Sequence, residues 1–196
     1  MSQLANLLLV PHAVRMRWIA GVLVLLAAGC GKQPVDKSPP LPLPPLTNFV
    51  AGVQVPPPVP TKVQPKLPTI KLFVGTVPME AEQALTEKQI QTGMMFRKTI
   101  GLNEGMIFVH RDVRARSYWM KNVSVKLSIA YLDPAGRIVE IHDLKPFETN
   151  GVFSESRNIQ YALETSRGWF KRNGIVPGVM LMTEKGTLPQ TYFPRR

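Results

Sequence analysis

The sequence predicts an α+β protein: a single domain in which a mostly antiparallel curved sheet, or a small barrel, carries two short helices. Three observations predict it. From residue 69 onward the apolar residues come in short runs, several with alternating polar partners, which is the pattern of strands. Turn-forming residues punctuate those runs at Gly75, Gly105, Asp133-Pro134-Ala135-Gly136 and Asn173-Gly174. Helix starts are read at Thr86 and Ser166.

Taken in order, Thr69 to Val74 reads as a strand ended by Gly75, and Met79 to Leu85 as a second strand or a helix start. Thr86-Glu87-Lys88-Gln89 is a capping-box pattern, because the threonine hydroxyl and the Gln89 side chain satisfy each other's free amides. It predicts a helix from about Glu87 to Met94. Glu104 to Val109 reads as a buried strand entered through a glycine turn. From Val123 to Ile129 apolar and polar residues alternate, the period of a half-buried strand. The turn at Asp133 to Gly136 joins that segment to Arg137 to Ile141 as a β-hairpin. Asp143 to Arg157 shows no period and reads as a long surface loop. Tyr161 to Glu164 is a short strand, Ser166 a cap for a helix around Trp169 to Arg172, and Val179 to Met182 a final strand.

The N-terminal part has a different character. Arg15 and Arg17 precede Trp18 to Gly29, an uncharged apolar run too short to span a bilayer, for which about 20 residues are needed. Such a run suits the core of a secretory signal. Leu26-Ala27-Ala28-Gly29-Cys30 resembles the bacterial lipobox, at which the cysteine thiol becomes lipidated, and Met16 offers an alternative start of translation. These features predict a signal peptide over 1–29 and a lipid on Cys30, with palmitate-type acyl chains anchoring the protein to a membrane on its periplasmic or outer side. Twelve of the 19 prolines fall between Pro34 and Pro68. Proline fixes φ and lacks an amide donor, so 30–68 reads as a proline-rich, semi-rigid tether of about 3.1 Å per residue. The globular domain is then 69–196.

Formal net charge is +11. From Leu67 onward, 18 Lys+Arg stand against 12 Asp+Glu, leaving about +6 spread without a run of five like charges. That balance is compatible with anionic lipid or cell-wall polymer, whereas no nucleic-acid motif is present. Cys30 is the single cysteine, so an internal disulfide is impossible and nucleophilic cysteine chemistry in the domain is excluded. No Gly-x-Ser-x-Gly turn is present either. His110 and His142, with Glu140 or Asp143, lack ligand spacing on one element. No metal or cofactor is expected.

Several blocks along the domain resemble the DUF192 family, small bacterial and archaeal domains of undefined function. Thr86 to Arg97, with Gly93, Met95 and Arg97 at distinctive places, is similar to the family's first block, and Glu104-Gly105-Met106-Ile107-Phe108 to the next. Trp119-Met120-Lys121-Asn122 matches the most recognisable one. Ile129-Ala130-Tyr131, Gly136-Arg137-Ile138-Val139, Tyr161 to Glu164, Gly168-Trp169, Gly174-Ile175 and Pro177-Gly178 follow in order. The chain departs from the pattern at Glu87, Lys126 and Val179. The resemblance brings no catalytic residues with it.

Arg97, Glu104, Trp119, Lys121, Asn122 and Glu164 are the candidate ligand-binding residues. A cation and an amide beside an aromatic wall suit a carboxylate, a phosphate or sugar hydroxyls. The competing structural reading pairs Arg97 with Glu104 and spends Asn122 on a turn. Trp119, Trp169 and the methionines Met94, Met95, Met106, Met120, Met180 and Met182 read equally as core. The function expected is therefore a membrane-anchored envelope lipoprotein with a non-catalytic domain. That domain would bind a cell-wall polymer, a small anionic ligand or an envelope protein. The alternative is a hydrolase of envelope polymers or glycans using Glu104 or Glu164 as acid or base near Lys121.

Overall fold

The structure is a computed structural model that describes residues 58–194. The segment read as a signal, Cys30 and most of the tether lie outside the described residues.

The domain is built on one eight-stranded sheet with three short helices. In chain order the elements are β1 (Thr69–Val74), β2 (Val77–Ala84), α1 (Glu87–Thr92), β3 (Glu104–Arg114), β4 (Ser117–Tyr118), β5 (Leu127–Leu132), β6 (Ile138–Leu144), β7 (Val152–Phe153), β8 (Ile159–Ser166), α2 (Trp169–Arg172), β9 (Leu181–Thr183), β10 (Gly186–Thr187) and α3 (Leu188–Tyr192). The sheet order is β10-β9-β1-β2-β3-β8-β5-β6, and β4 pairs with β7 in a separate two-stranded sheet. All neighbours are antiparallel except β2 and β3, which are joined by a crossover through α1 and run parallel. The sheet is curved but open. A single bridge, Arg137 to Met180, draws the β5–β6 turn toward the entry of β9 without closing a barrel.

Both faces of the sheet are covered, so alternate residues of the same strand enter different cores. Ile107, Val109, Ala130, Leu132, Tyr161 and Leu163 join Trp169, Phe170 and Leu188 on one face. Met106, Phe108, Ile129, Tyr131 and Ala162 join Met94, Met95, Tyr118, Met120 and Val123 on the other. For this reason β5 is buried at all six positions, where the alternation had predicted one solvated face. Val123 and Val125 are buried in the turn that leads into β5, outside any strand.

Other expectations shift for local reasons. The capping box at Thr86 and Gln89 forms as predicted, and α1 stops at Thr92 because Gly93 takes φ 48°. Ser166 does not cap α2, which is entered through Gly168 in the left-handed conformation. The stretch from Asp143 to Arg157 is not all loop. It completes β6 and holds β7, where Tyr118 pairs with Val152. A third helix, α3, was not anticipated, although Thr187 and Gln190 form a second capping box at its start. The end of the proline-rich stretch lies on the domain. Leu67 is buried, Val59 packs on the second core, and the Gln64 amide donates to the Gly93 carbonyl at 2.8 Å.

One buried ion pair fastens these pieces. Arg97 donates to both Glu82 oxygens at 2.7 Å, and the Leu67 amide donates to the same carboxylate at 2.7 Å. Removing one member of a buried pair strands the other. Arg97→Met should therefore lower unfolding stability by about 3 kcal/mol in urea titration, while exposed Lys98→Ala should stay within about 0.5 kcal/mol.

Candidate functional site

The second face of the sheet carries a pocket of about 370 Å³. Its floor is the sheet itself, with Phe108 and His110 from β3 and Glu164 from β8. One wall is the end of α1 and the segment Thr92 to Met95; the other is Arg114 to Trp119. That second wall exists because β3 runs past its last regular pairing at Val109, through an irregularity, to Arg114. The chain then turns back into β4. Ser154 holds the return, donating its amide to the Arg116 carbonyl at 2.8 Å and accepting the Arg116 amide on its hydroxyl at 2.9 Å.

Glu164 sits at the centre of the sheet, opposite Met106 of β3 and Ile129 of β5. It is 4% exposed. Its carboxyl makes no hydrogen bond or ion pair among the described residues. Burial over apolar neighbours penalises the charged form and raises its pKa to about 8. Gly105 lets β3 come this close, since a Cβ there would lie 2.7 Å from the Glu164 carbonyl oxygen.

The surrounding polar groups are held in place. The Tyr118 hydroxyl lies 2.8 Å from His110 Nε2, and its ring packs edge-on to Phe108 and tilted against Tyr131. Burial and then the nearby Arg116 charge lower the His110 pKa to about 4, so the ring is neutral. Burial raises the Tyr118 pKa well above its ordinary value. Arg116 is 5% exposed. Its Nη2 donates to the Asp112 carboxylate at 2.9 Å and to the Asp112 carbonyl, while its buried Nε has no partner.

The six candidate residues separate. Trp119, 38% exposed, and Glu164 both line the pocket. Lys121 lies with Nζ 5.2 Å from the Trp119 ring centroid, a cation–π contact. Asn122 takes φ 60° at a turn and offers its carbonyl to the Phe96 amide at 2.8 Å. Arg97 pairs with Glu82 rather than Glu104. Glu104 accepts the Gly101 amide at 2.9 Å and borders a separate, small depression with Arg97. The two carboxyls considered for hydrolysis thus face different cavities. His142 pairs with Glu140 at 2.8 Å, apart from His110. Among the described residues no three His, Cys, Asp or Glu side chains are grouped to hold a metal.

His110 enters the sequence reading only as a possible metal ligand, and Arg114, Arg116 and Tyr118 do not enter it as site residues. Their signal is present in Arg111 to Tyr118, where arginines alternate with small or apolar residues directly before the tryptophan block. It reads as ordinary surface charge until the fold turns it over the sheet.

Together these features define an α+β domain with an open sheet and a pocket floored by a lone carboxyl. The chain belongs to the DUF192 family, described as Uncharacterized ACR, whose profile matches residues 70–183. No curated protein matches it. Among solved structures, it is similar to a "putative transcription regulator" from Sinorhizobium meliloti 1021, with 27% identity and a TM-score of 0.55 over 59% of this chain and 92% of the other. A protein of unknown function from Novosphingobium aromaticivorans DSM 12444 shares the fold, with 24% identity and a TM-score of 0.54 over 61% of this chain and 90% of that one.

Glu164 makes stability depend on pH in a defined direction. Its folded pKa lies above the unfolded value, so the native state holds the proton more tightly and loses that advantage as pH rises toward 8. Between about pH 5 and about pH 8, wild-type protein should lose on the order of 3 kcal/mol relative to Glu164→Gln. Comparing the pair by urea unfolding cancels the opposing contribution of His110.

Proposed function

We propose that this protein is a lipid-anchored component of the bacterial envelope whose DUF192 domain binds a ligand, without catalysis, in the pocket over Glu164. The observation that carries the binding reading is the buried carboxyl that faces a cavity and has no hydrogen-bond partner. The pocket leaves this carboxyl within reach, and a ligand with a hydroxyl or amide would supply the hydrogen-bond partner that the protein does not. One carboxyl lines this pocket, whereas glycoside hydrolysis through a carboxylate pair needs two flanking one bond. That difference favours binding over hydrolysis.

The anchoring reading rests on Arg15, Arg17, the apolar run and Ala27-Ala28-Gly29-Cys30. No described helix is long and apolar enough to cross a membrane, and a lipid on Cys30 requires none. The proline-rich stretch would then carry the domain away from the bilayer, on the periplasmic or outer side, within reach of cell-wall polymer, small envelope solutes or another envelope protein.

Expression in a bacterial host with fractionation tests the anchor. Wild-type protein should sediment with membranes and Cys30→Ala should be released; equal partitioning would refute lipid anchoring. Native mass spectrometry of gently extracted full-length protein tests the pocket. A bound small molecule should accompany the wild type and be missing from Glu164→Leu. Identical bare masses for both proteins would sink the ligand reading.

A further inference from the structure

The other depressions have internal occupants or no distinguishing chemistry. Arg97 and Glu82 satisfy each other beside the small one. Glu140 is engaged by His142 and by the amides of Glu155 and Ser156. The groove along α1 is bordered by the chain's own residues Pro58 to Pro65. The pocket over Glu164 differs, because its charge distribution is one-sided. Arg114 and Arg116 line both it and the neighbouring outer depression, whereas Asp112, which pairs with both, borders the outer depression and not the pocket. Both arginines thus border the pocket while their shared counter-ion lies on its outer side.

We propose that this pocket, read above as the ligand site and on which the inference depends, takes a compact organic acid: its anionic group meets Arg114 and Arg116, and its hydroxyl or amide meets Glu164. A guanidinium fork suits a carboxylate or phosphate oxygen pair. A neutral carboxyl is at once donor and acceptor, which matches a hydroxyl or an amide. With Glu164 uncharged, nothing on the floor repels an acid. A cationic ligand would face two arginines, and a wholly apolar one would leave both ends of the site unpaired. The Trp119 ring, with Lys121 over it, supplies a flat wall. The volume lies near the lower end of the range for small-molecule sites, roughly 300–1,000 Å³, and fits a single sugar acid or short hydroxy acid better than an extended polymer.

Thermal-shift titration of the full-length protein in detergent tests this with D-glucuronate, L-lactate, N-acetylmuramate and glucose 6-phosphate. The comparison set is D-glucose, methyl glucuronate, glucosamine and inorganic phosphate. At least one hydroxylated acid should raise Tm by several degrees while its uncharged or amino counterpart does not. The shift should weaken about tenfold in affinity in Arg114→Ser, at an exposed position where folding is not at issue, and vanish in Glu164→Leu. Neutral sugars that bind as tightly as acids, with loss in Glu164→Leu, would overturn the ligand class while leaving the pocket as a site. Acid shifts unchanged in both variants would place binding elsewhere and overturn both readings. No shift with any acid would overturn the acid proposal, and the mass measurement above would then decide the pocket by itself.

Discussion

A strand with neighbours on both sides and cores on both faces has nowhere to put a charge. The strand β8 is in that position, between β3 and β5, with Tyr161 and Leu163 entering one core and Ala162 the other. Thr165 meets the constraint by donating its hydroxyl to the Glu104 carbonyl at 2.8 Å. Glu164 does not meet it with any protein group. The surrounding structure instead leaves an opening above the carboxyl, walled by a helix end and by the return of β3 into β4. The pocket and the lone carboxyl are two aspects of one arrangement.

The contrast with the Arg97–Glu82 pair separates structure from function. That carboxylate is also nearly buried, yet it accepts a bidentate guanidinium and a backbone amide, each at 2.7 Å. It is saturated, and it ties the tether's end, β2 and the segment after α1 together. Most of the conspicuous family blocks behave in this structural way. Asn122 supports the Phe96 turn, Trp169 donates its indole N–H to Asn103 at 3.0 Å, and the methionines Met94, Met95, Met106 and Met120 fill core. Glu164 is the block carboxyl that lines the pocket and has no hydrogen bond or ion pair among the described residues.

Much of this was legible in the chain. The capping box at Thr86, the Asp133 to Gly136 turn and the β5–β6 hairpin were written in local chemistry, which needs no tertiary information. The alternation from Val123 to Ile129 misled, because periodicity reports which residues are apolar but not whether a second layer covers the polar face. Ser128 shows how: it is buried, and its hydroxyl donates to Asp143 at 2.5 Å and accepts the Gly168 amide at 2.9 Å. The site was half legible. Trp119 and Glu164 belong to recognisable blocks, whereas Arg116 acquires meaning only when β3 overruns the sheet and folds back. Arg97 and Glu104 are neighbours in the blocks but serve different partners, which spacing alone could not reveal.

The character of the pocket turns on the state of one carboxyl, and carbon-detected NMR titration of the glutamate side chains reads it directly. One Glu Cδ resonance, lost in Glu164→Gln, should titrate near pH 8 in the ligand-free protein. It should stand well above the ordinary glutamate range of about 4.3. A Glu164 resonance that titrates with its solvent-exposed counterparts would contradict the account, since the carboxyl would then be hydrated or paired and the pocket would have no unmet polar group to fill.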